Sequence, residues 1–207
     1  MRYGMLLDLK RCVNCGGCVM ACKLEHSTPR EIYWCKIFQK EVGEYPHAKN
    51  SWMPRACMHC GNAPCVTTCP TGASYTDESG RVLINASLCI GCRSCVNACP
   101  YAARHYNFEK PENEPYWGDG AELTPFEQAR TVKEHVPGTA EKCTYCYERV
   151  ETGKLPACVQ TCVGKARIFG DLDDPTSELC QAIVIKNARP LHGELGTDPS
   201  FYYVGVF

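Results

Sequence analysis

What this chain lacks narrows its work before any motif is read. No apolar run approaches the roughly 18 residues of a membrane-spanning helix. The longest candidates, such as Val82–Ile84 and Ala182–Ile185, are pieces of strand or helix core. Neither sign of charge dominates: 22 Lys and Arg face 23 Asp and Glu, a net charge of −1. That balance gives no electrostatic case for nucleic acid or for an anionic membrane surface. There is no phosphate-cradling glycine loop, no Ser/His/Asp set, and no spacing for a mononuclear catalytic metal. The chain is therefore expected to hold no catalytic site of its own. Met1–Leu9 has no apolar stretch long enough for a secretory leader and reads instead as a first strand feeding the loop at Cys12.

Cysteine is what the chain has in excess. Sixteen of its 18 cysteines fall into four groups: Cys12, Cys15, Cys18, Cys22; Cys57, Cys60, Cys65, Cys69; Cys89, Cys92, Cys95, Cys99; and Cys143, Cys146, Cys158, Cys162. Each group closes with a Cys-x3-Cys step. The first and third read C-x2-C-x2-C-x3-C, and Pro100 follows the third at once. This is the bacterial ferredoxin run, in which three cysteines hold one iron–sulfur cluster and the fourth reaches across to another. A disulfide framework belongs to small secreted domains, usually under about 100 residues, and does not call for local quartets. Structural zinc needs two separated pairs per ion and gives no reason for four cysteines within eleven residues. Four groups supply ligands for four 4Fe–4S clusters.

The chain also repeats. Leu6–Cys22 (LLDLKRCVNCGGCVMAC) aligns without a gap on Leu83–Cys99 (LINASLCIGCRSCVNAC), and Ala63–Cys69 (APCVTTC) resembles Pro156–Cys162 (PACVQTC). The order A, B, A′, B′ predicts two ferredoxin-like halves in an α+β fold, with short strands and helices wrapped round the clusters. At 207 residues, 44% hydrophobic and 22% charged, the chain makes one domain or two small ones of ordinary composition. Cluster cores suit its 17 glycines and 14 prolines, since metal and sulfur replace much of the side-chain core. Gly16, Gly17 and Gly91 relax the ligand loops so that amides approach sulfur. A short helix then carries the last cysteine one turn on, and Pro100 and Pro70 end those turns.

With these runs on the page, the chain resembles the four-cluster iron–sulfur subunit of the molybdopterin oxidoreductases of the DMSO reductase family. The likeness runs through YGMLLDLKRCVNCGGCVMAC, CMHCGNAPCVTTCPTGA, CIGCRSCVNACPYAA, KCTYCYERVETGKLPACVQTC and the tail GDLDDP…ELGTDPSFYY. It is nearest in appearance to the arsenate and polysulfide reductase type. The resemblance implies two double-cluster units, one nested in the other. In the inner unit, Cys57, Cys60, Cys65 and Cys99 would bind one cluster and Cys69, Cys89, Cys92 and Cys95 its neighbour. In the outer, Cys12, Cys15, Cys18 and Cys162 would bind one, and Cys22, Cys143, Cys146 and Cys158 the other. It further implies a catalytic partner holding a molybdenum or tungsten bis-pterin, and a quinol-linked membrane anchor or cytochrome beyond it. Single electrons would pass along the clusters between them. A freestanding polyferredoxin, or the iron–sulfur subunit of a cytoplasmic transhydroxylase or formate dehydrogenase, is the alternative. Export on a partner's Tat signal would put the chain on the periplasmic side; a cytoplasmic enzyme is the other expectation.

Departures and side candidates complete the reading. Lys23 and Val163 stand where a simple ferredoxin run has proline, and eleven residues separate Cys146 from Cys158. Cys35 and Cys180 lie outside every group and read as free or buried thiols. His59, between two ligands, reads as packing rather than as a Rieske-type ligand. Lys23 and Arg93 stand beside the groups, where each either raises a cluster's potential or is a solvated side chain. The expected division is 1–56 plus 141–170 for the outer unit, 57–110 for the inner unit, 111–140 for an insertion loop, and 171–207 for a C-terminal helix and docking tail. Lys110–Ala140, with Trp117 and Phe126, is expected to pack on a catalytic subunit or to be an ordinary surface loop. Asp174-Pro175 marks a helix start, with a helix over Thr176–Asn187. FYYVGVF at the end requires cover from the chain itself or from a partner.

Overall fold

The computed structural model describes residues 1–29, 31–108, 122 and 135–205. Its organising element is a four-stranded sheet that joins the two ends of the chain. Strand β1 (Tyr3–Asp8) lies between β8 (Arg167–Asp171), antiparallel, and β10 (Phe201–Val204), parallel, and β9 (Arg189–Pro190) closes the far edge. The register sets Leu7 opposite Arg167 on one side and opposite Tyr203 on the other.

Period-two alternation explains why this sheet is buried on both faces. Met5, Leu7, Phe201 and Tyr203 point into the cluster of apolar side chains that contains the cysteines of the middle of the chain. Leu6 and Val204, between them, point the other way onto Leu179 and Ala182. Those two sit on helix α6 (Glu178–Ile185), whose first turn is capped by the Ser177 hydroxyl accepting from the Cys180 N–H. The expected helix is thus present, shorter at both ends. Of the two covers expected for the tail, the chain's own body supplies one: Phe201 and Tyr203 are buried, on a strand paired on both sides.

Between the sheet strands run short elements that hold cysteines. Helix α1 (Gly17–His26) carries Cys18 and Cys22. One-turn helices α2 (Pro64–Thr67), α3 (Ser94–Asn97), α4 (Tyr147–Val150) and α5 (Ala157–Gln160) follow. Three two-stranded antiparallel sheets accompany them: β2 (Lys36–Val42) with β3 (Lys49–Arg55), β4 (Ser74–Thr76) with β5 (Val82–Ile84), and β6 (His105–Tyr106) with β7 (Ala140–Glu141). The long insertion expected over 111–140, with Trp117 and Phe126, lies almost wholly outside the described residues. Among those described, no helix is long and apolar enough to cross a membrane.

Candidate functional site

The ligand loops share one backbone design. In the first group Asn14 and Gly16 have positive φ; in the third, the repeat-equivalent Gly91 and Arg93 do. The left-handed turn is therefore kept while the glycine changes place. Gly91 is also confined: a Cβ there would collide with the Gly138 carbonyl. In the second and fourth groups the equivalent residues His59 and Tyr145 are left-handed too. The His59 amide donates to Cys57 Sγ at 3.4 Å, the kind of N–H···S contact that favours a thiolate.

Each gathering of cysteines joins most of one group to a cysteine of another. One pocket is lined by Cys12, Cys15, Cys18 and Cys162, with Arg167 in its wall. A second is lined by Cys69, Cys89, Cys92 and Cys95, with Ile90 and Arg93 beside them. The other two gatherings are more deeply buried and announce themselves electrostatically. The Cys60 thiol is pushed up to about 12 by burial and by the neighbouring Cys57, Cys65 and Cys99. The Cys22 thiol is raised well above its ordinary value by burial and then by Cys143, Cys158 and Cys146. Burial likewise pushes Cys143 up to about 12. Crowded, water-excluded thiols of this kind hold their protons unless a metal centre takes them as thiolates. Among the described residues, no three Cys, His, Asp or Glu converge as they would round one metal ion. An all-sulfur rim round a cavity is the donor set of an iron–sulfur cluster.

Neighbouring gatherings touch. Cys158 feels Cys18 and Cys162, Cys143 feels Cys57, and Arg104 lies against both Cys65 and Cys95. Cys15 and Cys92, at the two ends of this series, are exposed, whereas Cys22, Cys57, Cys60, Cys65 and Cys146 are buried.

A family profile described as "4Fe-4S dicluster domain" matches residues 48–114 and again 109–172, and a second profile with the same description matches 4–70. The chain belongs to the 4Fe–4S dicluster family. As an iron–sulfur protein of this family, it relays electrons. It is 39% identical to the iron–sulfur subunit, ArrB, of the arsenate respiratory reductase of Shewanella sp. (strain ANA-3), over 100% of this chain and 97% of that protein. It is 40% identical to an iron–sulfur protein of Halobacterium salinarum described as belonging to a putative dimethyl sulfoxide reductase, over 98% of this chain and 78% of the relative. Identity to a tetrathionate reductase subunit of Salmonella typhimurium is 37%, over 99% of this chain and 73% of the relative.

Around the cysteines of this dicluster protein stand residues that the sequence left unremarked. His26 Nε2 lies 3.2 Å from Cys146 Sγ and its ring packs on Trp34. Arg104 Nη2 donates to Cys65 Sγ at 3.0 Å. Arg167 Nη2 is 3.6 Å from Cys35 Sγ, and its Nη1 is 4.0 Å from Cys158 Sγ. Cys35 is buried, and its thiol, raised well above the ordinary value by its hydrogen bond with Cys18 and by burial, keeps its proton. The hydrogen bond with Cys35, and then Arg167, bring Cys18 down to about 5 against the opposing effect of burial. Cys180 is remote, its thiol donating to the carbonyls of Asp171 and Leu172.

The side candidates can be placed as well. Lys23 is buried rather than solvated: its ammonium donates to the carbonyls of Thr28, Pro29 and Ile32, binding the loop after α1. Arg93 does line a cysteine cavity, and its guanidinium lies over the rings of Tyr106 and Phe108 at 4.2 and 4.7 Å. His59 is fully buried, with Nδ1 accepting from the Val82 N–H at 3.1 Å.

Proposed function

We propose that this chain is the four-cluster electron relay of a respiratory reductase such as an arsenate, polysulfide, thiosulfate, tetrathionate or DMSO reductase. Its partner on one side is a catalytic subunit holding a molybdenum or tungsten bis-pterin. On the other side stands a quinol-linked membrane anchor or a cytochrome. Cys12, Cys15, Cys18 and Cys162 hold the first 4Fe–4S cluster, and Cys22, Cys143, Cys146 and Cys158 the second. Cys57, Cys60, Cys65 and Cys99 hold the third, and Cys69, Cys89, Cys92 and Cys95 the fourth. One double-cluster unit is nested inside the other. The observation that carries the reading is Cys162 on the rim shared by Cys12, Cys15 and Cys18, from the opposite end of the cysteine series.

When bound, each cluster supplies reversible one-electron chemistry. The chain's residues do the rest. Helices α2, α3 and α5 each begin at or beside one cysteine and end just before the next, so that a rigid turn fixes the spacing of neighbouring centres. The buried cysteines of the two middle gatherings exclude water, which limits side reactions. The exposed Cys15 and Cys92 leave the two ends of the series open to partners. This chain carries no substrate site, and two-electron chemistry takes place in the partner. Compartment follows the partner: we assign the chain to the periplasmic side, co-exported with a Tat-signal-bearing subunit.

Anaerobic native purification with elemental analysis tests this. The expected result is about 16 iron atoms per chain, together with about one molybdenum or tungsten in the co-purified complex. Full iron without either metal would identify a mobile polyferredoxin, and zinc in place of iron would overturn the reading.

A further inference from the structure

Five Lys and Arg side chains are buried among the described residues: Lys23, Arg81, Arg104, Lys142 and Arg167. A buried cation is costly unless something negative or strongly dipolar faces it. Arg81 has Asp77 at 2.6 Å, and Lys23 and Lys142 end on backbone carbonyls. Arg104 and Arg167 end on cysteine sulfur, and neither has a carboxylate partner among the described residues. They are 4% and 5% exposed, so no water shell compensates them.

The two are related by position. Each follows an alanine, and each stands five residues beyond the last cysteine of a group, Cys99-Pro-Tyr-Ala-Ala-Arg104 and Cys162-Val-Gly-Lys-Ala-Arg167. Their sulfur contacts are repeat equivalents as well, Cys65 of APCVTTC and Cys158 of PACVQTC. Each also reaches toward a second gathering: Arg104 toward Cys95, Arg167 toward Cys18. The geometry therefore sets one fixed positive charge between the two cysteine gatherings of each half. Nη1 of Arg104 is held by the Ser74 hydroxyl at 2.7 Å, and Nη1 of Arg167 by Met5 Sδ at 3.3 Å.

We infer that Arg104 and Arg167 are the potential-setting residues of the relay, each raising the midpoint potential of the cluster held by Cys65 or by Cys158. This rests on the four-cluster reading. A cluster bound by four thiolates is anionic and gains one further negative charge on reduction. A guanidinium against its sulfur therefore stabilises the reduced form more than the oxidised one. In a dry site that charge is poorly screened. Burial opposes both guanidinium charges, yet the surrounding cysteine sulfurs outweigh it and hold both above the ordinary arginine value.

The test is an EPR-monitored redox titration of the full chain in its native complex, parent against Arg104→Gln and Arg104→Lys. The expected result is a midpoint displaced to lower potential for one cluster in Arg104→Gln, largely restored in Arg104→Lys, at unchanged iron content. Parent midpoints in an iron-replete Arg104→Gln protein overturn the proposal. If Arg104→Gln loses iron, Ser74→Asp takes its place. It leaves the guanidinium where it is and sets a carboxylate against it, so the same midpoint must fall; an unmoved midpoint there overturns the proposal too. A parent protein without iron would instead mean that the cluster reading itself has failed.

Discussion

His59 and Tyr145 stack on one another with ring centroids 3.7 Å apart and planes 23° from parallel. Both stand two residues beyond the first cysteine of their group, both have left-handed backbones, and both are buried. Repeat-equivalent residues of the second and fourth groups thus meet. With Nδ1 taking the Val82 N–H, the ring of His59 is neutral. Burial, and then the charges of Lys142, Arg81 and Arg104, keep its pKa well below the ordinary value.

The stack is expected to weld the halves together. Tyr145→Ala removes a fully buried ring and should cost about 3 kcal/mol or more. A double-mutant cycle with His59→Ala should return a coupling of about 1 kcal/mol, measured by denaturant unfolding of the anaerobic, loaded protein. Strict additivity would show that the two rings merely fill space.

Cross-group ligation is tested through Cys162 and Cys99. Cys162→Ser and Cys99→Ser should each lower iron from about 16 to between about 12 and 15 atoms per chain, and each should alter the EPR signal of one cluster. Cys180→Ser is the control, since that thiol ends on the carbonyls of Asp171 and Leu172, away from every gathering. Full iron in Cys162→Ser would remove it from the ligand set.

Acid and base should act oppositely on the His135–Glu141 pair. His135 donates from Nδ1 to the Glu141 carboxylate at 2.7 Å and from Nε2 to the His26 carbonyl at 2.8 Å, which requires a charged imidazolium. Burial opposes that charge, but the Glu141 contacts outweigh it and hold the pKa above its ordinary value near 6.5. The native state therefore keeps a proton that the unfolded chain releases. Stability from this pair is fully present below about pH 6.5 and is lost as pH rises through the folded pKa. Glu141→Gln should cost about 1–2 kcal/mol at pH 6 and clearly less at pH 9, read from unfolding midpoints of parent and variant. Equal costs at both values would exclude the charged pair.

The repeat was the legible part of this chain. Spacing alone pointed to cysteine quartets, α+β character, a first strand ahead of Cys12 and a helix after Asp174-Pro175. Which cysteines gather came from family likeness, because contact across the repeat depends on how β1, β8 and β10 pair, and no spacing encodes that pairing. Arg104 and Arg167 were missed although their shared placement, five residues past a group's last cysteine and just after an alanine, was in view; arginine is so commonly exposed that burial was not suspected. For Lys23 both an electrostatic and a solvated role are open in the sequence; only its burial was out of view, since a helix turns successive side chains about 100° apart and sends this one to the loop carbonyls. The final FYYV run reads as an apolar run needing cover from the chain itself or from a partner; which of the two applies depended on strand order, a long-range property.

The two ends of the series carry matching apolar residues, and these should govern contact with partners. Val13 and Ile90 follow the first cysteines of repeat-equivalent groups and are 62% and 68% exposed, close to the exposed Cys15 and Cys92. An apolar side chain held in water beside an electron exit is suited to desolvating a short contact with a redox partner. Burying such a residue in an interface is commonly worth about 1–2 kcal/mol, or roughly tenfold in affinity. Val13→Asp and Ile90→Asp should therefore retain iron and folding while slowing electron exchange, each with a different partner, by about that factor at limiting concentration. Stopped-flow oxidation and reduction of the assembled complex separates the two directions. If both variants slow the same half-reaction, or neither does, the two ends do not serve as opposite terminals of the relay.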